Sequence, residues 1–402
     1  MPKRHKRAHS QKSSATKVMP SDIGDALNNG VTSSDITDHE RAQIAELRRE
    51  VAGEMPDDGY DTDYNLLRWI RAYGGKTKQA LPKLRRHLVM RRTVDMKQLS
   101  SVALEVEPIM SEYFPVTILG DCGLSNKLVV FEFPGRVDVQ GVLKSVRTTE
   151  FMMGRFKIME DILARMKEKE RLTNRQSGVI VIYDLEGLQM DPGLLSVVTG
   201  PFRIMWVTIA DLYPEWIYRF VVINAPTFMN VLWKAFSPFL PEHTKGKITI
   251  AGANWKEELL KYVRPDCLPV YWGGTMVGED GDPKCSHLVK IAKTKIPPEL
   301  YWKPAADEPA IEELTPVTVG PGARVLLSFD VFEAGSYLEW FLYCDQEYRF
   351  AIYYHDDPRE KELERMEEVF VDYEHAGMTT TDRFRFLCKR AGIYHLKLGN
   401  EK

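Results

Sequence analysis

The segment Asp211–Gly252, DLYPEWIYRFVVINAPTFMNVLWKAFSPFLPEHTKGKITIAG, joins two short strand-like runs through one long apolar run. "RFVVINAP" and "GKITIAG" are rich in β-branched residues with almost no polar interruption, the pattern of strands covered on both faces. Between them, Phe228 to Leu240 on a helical wheel of about 100° per residue confines Asn230, Lys234 and Ser237 to a stripe of about 60°. Phe228, Met229, Val231, Leu232, Trp233, Ala235, Phe236, Phe239 and Leu240 fill roughly 220° of the remainder, about twice the apolar arc of a one-sided surface helix. Two readings fit: a helix buried between two layers of core, or a helix with one apolar face on protein and another lining a ligand cavity or meeting a bilayer. Pro238 and Pro241 break its end just before "EHTKGK", which suits a movable flap. Lys245 and Lys247 then stand where apolar helix meets polar exit, either as a plain basic turn or as a place to hold phosphate beside buried acyl chains.

Working outward, the strand–helix alternation extends over residues 108–283. "NKLVVFEF" and "SGVIVIYDLEG" are further strand-like runs, and "LKSVRTTEFMMGRFKIMEDILARMKEKERL" and "GLLSVVTGPFRIMWVTIADLY" are long enough for helices. Such alternation implies a mostly parallel sheet with crossover helices. Residues 36–100 read as a small helical bundle with a basic face. Thr37 and Asp38 are candidate caps of one helix, Asp63 caps a second, and Gly74–Gly75 stops it. Residues 284–316 carry prolines that propagate neither a helix nor a central strand, and read as a linker. Residues 317–402 contain short aromatic-rich runs at regular spacing, the pattern of an all-β sandwich. The fold class is therefore multidomain: α-helical bundle, α/β domain, all-β sandwich. Residues 1–35 read as a basic, disordered tail, with a nuclear address or an arm for anionic lipid as the functional alternative.

The 402 residues are 44% hydrophobic, enough to build a core in each block. Lys plus Arg number 54 against 57 Asp plus Glu, so the formal charge of −3 offers no global field for nucleic acid or an anionic membrane. Five scattered cysteines, none in a C-x-x-C pair, fit reduced thiols in a cytoplasmic protein and argue against structural zinc. No run reaches the roughly 18 uninterrupted apolar residues of a membrane span, and a soluble protein is expected. Catalytic patterns fail individually. "YGGKT" at Tyr73–Thr77 has Ile70 where a phosphate-binding loop demands glycine, and no H-E-x-x-H, G-x-S-x-G or dinucleotide glycine motif occurs. Asp184 and Glu186 remain a formal acid–base pair, but a non-enzyme is expected.

"DTDYNLLRWIRAYGGKTKQALPKLRRH", "VIVIYDLEGL", the Asp211–Gly252 segment and "NWKEELLKYVRPDCLPVYWGGTM" together resemble the CRAL-TRIO lipid-binding domain with its N-terminal helical extension. "GSYLEWFLYCDQEYRFAIYY" and "RAGIYHLKLGN" are similar to a GOLD domain, an order found in the supernatant protein factor and tocopherol-associated protein group. The resemblance implies an enclosed pocket for one hydrophobic molecule, with no other cofactor. Its mobile gate helix would carry Phe228, Val231, Leu232, Ala235, Phe236 and Phe239, and its floor Val179, Val181 and Tyr183. In members that bind phosphatidylinositol, an acidic residue of a Y-P-E stretch and a T-x-x-K pair hold the headgroup, which maps onto Glu215, Thr244 and Lys247. An arginine of the family's transfer proteins is replaced by Tyr73, although Arg68 and Arg71 remain. The Val179–Ile180–Val181 floor lacks the hydroxyls used for phosphatidylcholine, which suits a more apolar ligand. The GOLD-like part stops at "KLGNEK", short of the family's usual last strand. The implied function is to bind a phosphoinositide or tocopherol-like lipid and to transfer or present it between membranes. The implied partners are the lipid, a transient peripheral membrane contact and a protein met through the GOLD-like part, without nucleic acid. The competing reading is a protein–protein adaptor in membrane trafficking or signalling with no exchangeable ligand.

Overall fold

The computed structural model describes residues 35–401, apart from Pro192, Thr294, Pro358, Met378, Thr379 and the side chain of His243. The basic tail read from residues 1–35 lies outside the described residues except for Asp35, whose carboxylate accepts the Gln176 N–H at 3.0 Å.

Three helices lead the chain: α1 (Asp38–Glu50), α2 (Asp63–Ala72) and α3 (Thr77–Thr93). α1 opens on a reciprocal cap, with the Glu40 N–H donating to Thr37 Oγ1 at 3.2 Å and the Thr37 N–H to the Glu40 carboxylate at 2.9 Å. The cap of α2 is Thr62, not the expected Asp63. Thr62 Oγ1 accepts the Asn65 N–H at 3.1 Å, and Asp63 becomes the first helical residue, where its charge still meets the positive helix end. Gly74 and Gly75, at φ 58° and 80°, end the helix as expected of a Gly-Gly stop. Leu47, Leu66, Leu67, Trp69, Ile70 and Leu84 form the bundle core.

The α/β block follows in the order α4 (Met96–Leu99), α5 (Glu107–Tyr113), β1 (Val116–Gly123), β2 (Lys127–Glu132), α6 (Val139–Ser145), α7 (Thr148–Thr173) and β3 (Gly178–Asp184). It continues with α8 (Leu194–Thr199), α9 (Pro201–Leu212), β4 (Ile217–Ile223), α10 (Met229–Phe236), α11 (Glu242–Lys245), β5 (Ile248–Ile250) and α12 (Trp255–Leu259). The sheet runs β1-β2-β3-β4-β5, antiparallel between β1 and β2 and parallel elsewhere. Alternate residues point to opposite faces, and both faces are covered. Val129, Phe131, Ile180 and Ile182 pack under Leu259, Leu268 and Trp272. Leu128, Val130, Val179, Val181 and Tyr183 face the cluster that contains Phe156, Met159 and Ile209. This double burial is why the strands read as nearly unbroken apolar runs.

Leu194–Leu212 is long and apolar enough by composition to cross a bilayer. Gly200 and Pro201 divide it into α8 and α9, which wall one side of the sheet. The expected single helix over Phe228–Leu240 is also divided: α10 ends at Phe236, and Ser237–Phe239 is one 3-10 turn, because Pro238 cannot donate to the helix ladder.

The last block is all-β: β6 (Arg324–Val331), β7 (Tyr337–Leu342), β8 (Tyr348–His355), β9 (Glu367–His375), β10 (Asp382–Leu387) and β11 (Gly392–Gly399). β7 pairs with β10, and a second sheet runs β6-β11-β8-β9, all antiparallel. Its core residues Phe350, Phe370 and Tyr394 belong to the same continuous apolar cluster as Met205 and Trp206 of the α/β block. Residues 284–316, read as a linker, carry no described strand and only single 3-10 turns, as their prolines dictate. They are nevertheless laid along the α/β block: Val289 and Ile296 are buried, and the Trp302 N–H donates to the Lys144 carbonyl at 2.8 Å.

Candidate functional site

α8, α9 and α10 stand off the sheet and leave a cavity of about 160 Å³. Its floor is Tyr183 of β3 with Phe220 and Val222 of β4, and its walls are Leu194 and Val197 of α8 and Phe202 and Trp206 of α9. α10 supplies the roof through Met229, Leu232, Trp233 and Phe236. Aromatic rings set the shape. Phe236 meets Phe202 at 5.3 Å between centroids, Tyr183 meets Phe220 at 4.8 Å, and Trp206 stacks parallel to Trp216 at 6.3 Å. The Tyr183 hydroxyl and the Trp206 indole N–H, both buried, reach no partner in hydrogen-bonding geometry. Burial raises the Tyr183 phenol well above its ordinary value, so it remains a donor.

At one end this apolar space adjoins a cleft of about 300 Å³, and Trp216, Ile217, Leu240, Thr244 and Lys247 line both. Glu215 and Lys247, 32 residues apart in sequence, meet in the cleft as a two-pronged ion pair, Nζ to the carboxylate oxygens at 2.8 and 2.9 Å. Both side chains keep about a quarter of their surface in solvent, 24% and 21%. Glu215 adopts a left-handed backbone at φ 53°, which costs a non-glycine residue on the order of 1 kcal/mol. Tyr73 and Asp211 complete the cleft. Burial, with Asp211 beside it, raises the Tyr73 phenol and keeps it a neutral hydroxyl.

The residues singled out in the sequence divide. Glu215, Thr244 and Lys247 come together at the cleft, and Leu232, Phe236 and Tyr183 line the cavity. Val179 and Val181 are fully buried on the same sheet face as Tyr183 but are packed core and do not line the cavity. Phe228 and Ala235 are half-buried and outside the lining, Val231 is 48% exposed, and Phe239 is 45% exposed at the rim of the cleft. Arg68 and Arg71, noted above as the arginines that remain beside Tyr73, do not line the cleft. Arg68 is buried against Glu170 of α7, whereas Arg71 pairs with Glu40 of α1 at 2.8 Å within the bundle and reaches Gln176 Oε1 outside it at 2.5 Å. Asp184 accepts from Trp272 Nε1 at 3.0 Å, Asn224 Nδ2 at 2.8 Å and the Glu186 N–H at 2.9 Å, a saturated structural carboxylate. Among the described residues no cluster of His, Cys, Asp or Glu has the makeup of a metal site. Sequence reasoning missed Phe202, Trp206 and Trp216. The apolar character of "GLLSVVTGPFRIMWVTIADLY" was visible, but which of its faces is left unfilled depends on tertiary packing.

The family model described as the CRAL/TRIO domain matches residues 112–274, and one described as "F28H7_8_C:-like, C-terminal domain" matches residues 300–402. The CRAL-TRIO domain-containing protein F28H7.8 of Caenorhabditis elegans is 34% identical over 376 residues, 93% of this chain and 89% of that protein. The protein ctg-1 of the same organism is 24% identical over 338 residues, 83% and 85% of the two chains. The crystal structure of Sfh5 aligns with a TM-score of 0.48 at 17% identity, over 66% of this chain and 95% of that one.

Proposed function

Because the chain belongs to the CRAL-TRIO domain-containing proteins, we propose that it is a non-enzymatic carrier that encloses one hydrophobic lipid and yields it when α10 swings away from the sheet. The observation that carries this reading is the pairing of an aromatic-walled apolar cavity with a cleft at one end that brings Asp211, Glu215, Thr244 and Lys247 to a largely apolar lining, the arrangement of an amphiphile with a small head. Hydrocarbon would occupy the space under α10, at about 0.8 kcal/mol for each buried CH₂.

The cleft bears on the headgroup. Its lining holds Asp211 and Glu215 against Lys247, and that lysine is already paired. A phosphoinositide would have to displace Glu215 from Lys247 without the help of Arg68 or Arg71. A lipid with a hydroxyl head, of the tocopherol-like kind, instead finds carboxylates to accept its hydrogen and Tyr73 or Thr244 to donate. The outer side of α10 and its 3-10 turn shows Val231 and Phe239 to solvent, and the neighbouring α8 shows Leu195, an apolar surface suited to brief contact with a bilayer during exchange. In this reading the protein works in the cytoplasm, and the C-terminal β block, similar to a GOLD domain, meets a membrane or protein partner.

Native mass spectrometry of protein purified without detergent tests the reading, with one lipid per chain as the expected result. Phe236→Asp places a charge in the roof and should abolish uptake from vesicles while the protein still unfolds cooperatively. An adaptor whose cavity is only core would lose its fold with that substitution and would carry no lipid to begin with.

A further inference from the structure

A second apolar cavity, of about 90 Å³, lies behind the first, and Pro134, Val139, Val197 and Phe202 line both. The loop that carries Pro134 fits between them because residue 135 is glycine: a Cβ there would fall 2.5 Å from the Leu185 backbone. The far wall is not part of the α/β block. Tyr373 and Glu374 of β9, with Ala376 just beyond it, close the second cavity opposite Val142, Val146 and Met205. This junction is a built one. The Thr149 N–H and Oγ1 donate to the buried Asp382 carboxylate at 3.1 and 2.6 Å, Thr380 Oγ1 donates to the Val146 carbonyl at 3.3 Å, and Arg203 pairs with Glu374 at 2.8 Å and with Glu347 at 2.9 Å. These contacts hold the margin, while the lining itself is apolar apart from Thr148, Glu374 and the Tyr373 hydroxyl, which is buried without a partner. A void of this kind is uncommon in a close-packed interior.

We propose that the two cavities form one tunnel, that the distal hydrocarbon chain of the bound lipid passes Phe202 into the second, and that the C-terminal β block is the end wall that sets the chain length accepted. This rests on the lipid-carrier reading and adds to it a selectivity for chain length in which a separate block takes part. Phe202 lines both cavities, and a rotation of its side chain between staggered positions would open the passage. The occupant is aliphatic or isoprenoid, because among the described residues of the lining only the Glu374 carboxylate, already paired with Arg203, brings charge.

The full chain is incubated with vesicles of a total lipid extract of mixed acyl-chain length, re-isolated, and its bound lipid read by mass spectrometry. Wild type should be enriched in the longer chains relative to the vesicles. Ala376→Leu from the β block and Val142→Phe from the opposite wall should each shift the bound population to shorter chains, by about fourfold for each methylene excluded. Retained binding of short chains shows that each variant is folded. If both variants return the wild-type chain distribution, the tunnel is refuted and the carrier reading stands. If wild type extracts no lipid of any length, the carrier reading itself falls.

Discussion

At the scale of the residue, burial separates ion pairs that hold the fold from those free to serve a ligand. Arg91 grips Glu160 with both arms at 2.8 and 2.9 Å and Asp58 through Nε at 2.6 Å, and the Tyr213 hydroxyl adds a donor to Glu160 at 2.9 Å. All four groups are nearly sealed from water, and Tyr213 begins the turn that carries Glu215. Glu160→Gln should therefore destabilise the protein by about 3 kcal/mol, the low end for a broken buried pair because Asp58 still faces Arg91. Lys247→Ala removes a pair that is a quarter exposed and should cost less than about 1 kcal/mol, while leaving the Glu215 carboxylate free to accept from a hydroxyl head. Urea unfolding of the two variants reads the contrast; equal losses would mean that the Glu215–Lys247 pair is structural.

At the scale of the element, Arg203 of α9 connects the roof to the β block. Its guanidinium bonds Glu374 and Glu347 and lies 4.9 Å from the centroid of the Phe239 ring, on the turn that ends the α10 segment. Arg203→Gln should cost about 1–2 kcal/mol, since its partners are partly exposed, and should speed lipid exchange between vesicles several-fold by freeing Phe239. A fluorescence-transfer assay measures it, and an unchanged rate would separate the roof from the β block. Much of this level was legible beforehand. The mostly parallel sheet of the α/β block follows from runs such as "VIVIYD", whose two covered faces leave no polar alternation, while its strand order came only with the structure, and Glu215, Thr244 and Lys247 were found through spacing in the resembled family. The division of the apolar helix at Ser237 was signalled by Pro238 but read as a weak end within one helix. The uses of Arg68 and Arg71 were hidden, because their partners lie in remote elements and a side chain's local spacing does not record them. The second cavity needs two blocks in contact and has no trace in either sequence alone.

At the scale of the molecule, acid should loosen the β block. His375 is buried between the rings of Tyr373 and Tyr348, at 4.2 and 5.0 Å, and burial, with Arg349 nearby, lowers it to about 3. The unfolded chain takes up this proton below about pH 6.5 while the folded one refuses it until near 3, so stability is complete above pH 6.5 and falls by up to about 1.4 kcal/mol per unit below it. Burial also lowers His87 and His395, which add to the fall, and raises the Asp382 carboxyl, which offsets part of it nearer the ordinary carboxylate range, so the His375 share is the difference from a variant between about pH 6.5 and 5. Denaturation midpoints across that window, compared with those of His375→Gln, should show the wild-type slope flattened in the variant. A different demand falls on the ribosome's product. In the order β6-β11-β8-β9, the first-made strand, with its "VLLSF" run, finds its neighbour only in the last-made one. Until residue 399 has emerged, β6 is an unclaimed sticky edge, and a nascent or prematurely cut chain ending before Gly392 would be a substrate for chaperones or for clumping, with the lipid tunnel's end wall lacking its backing.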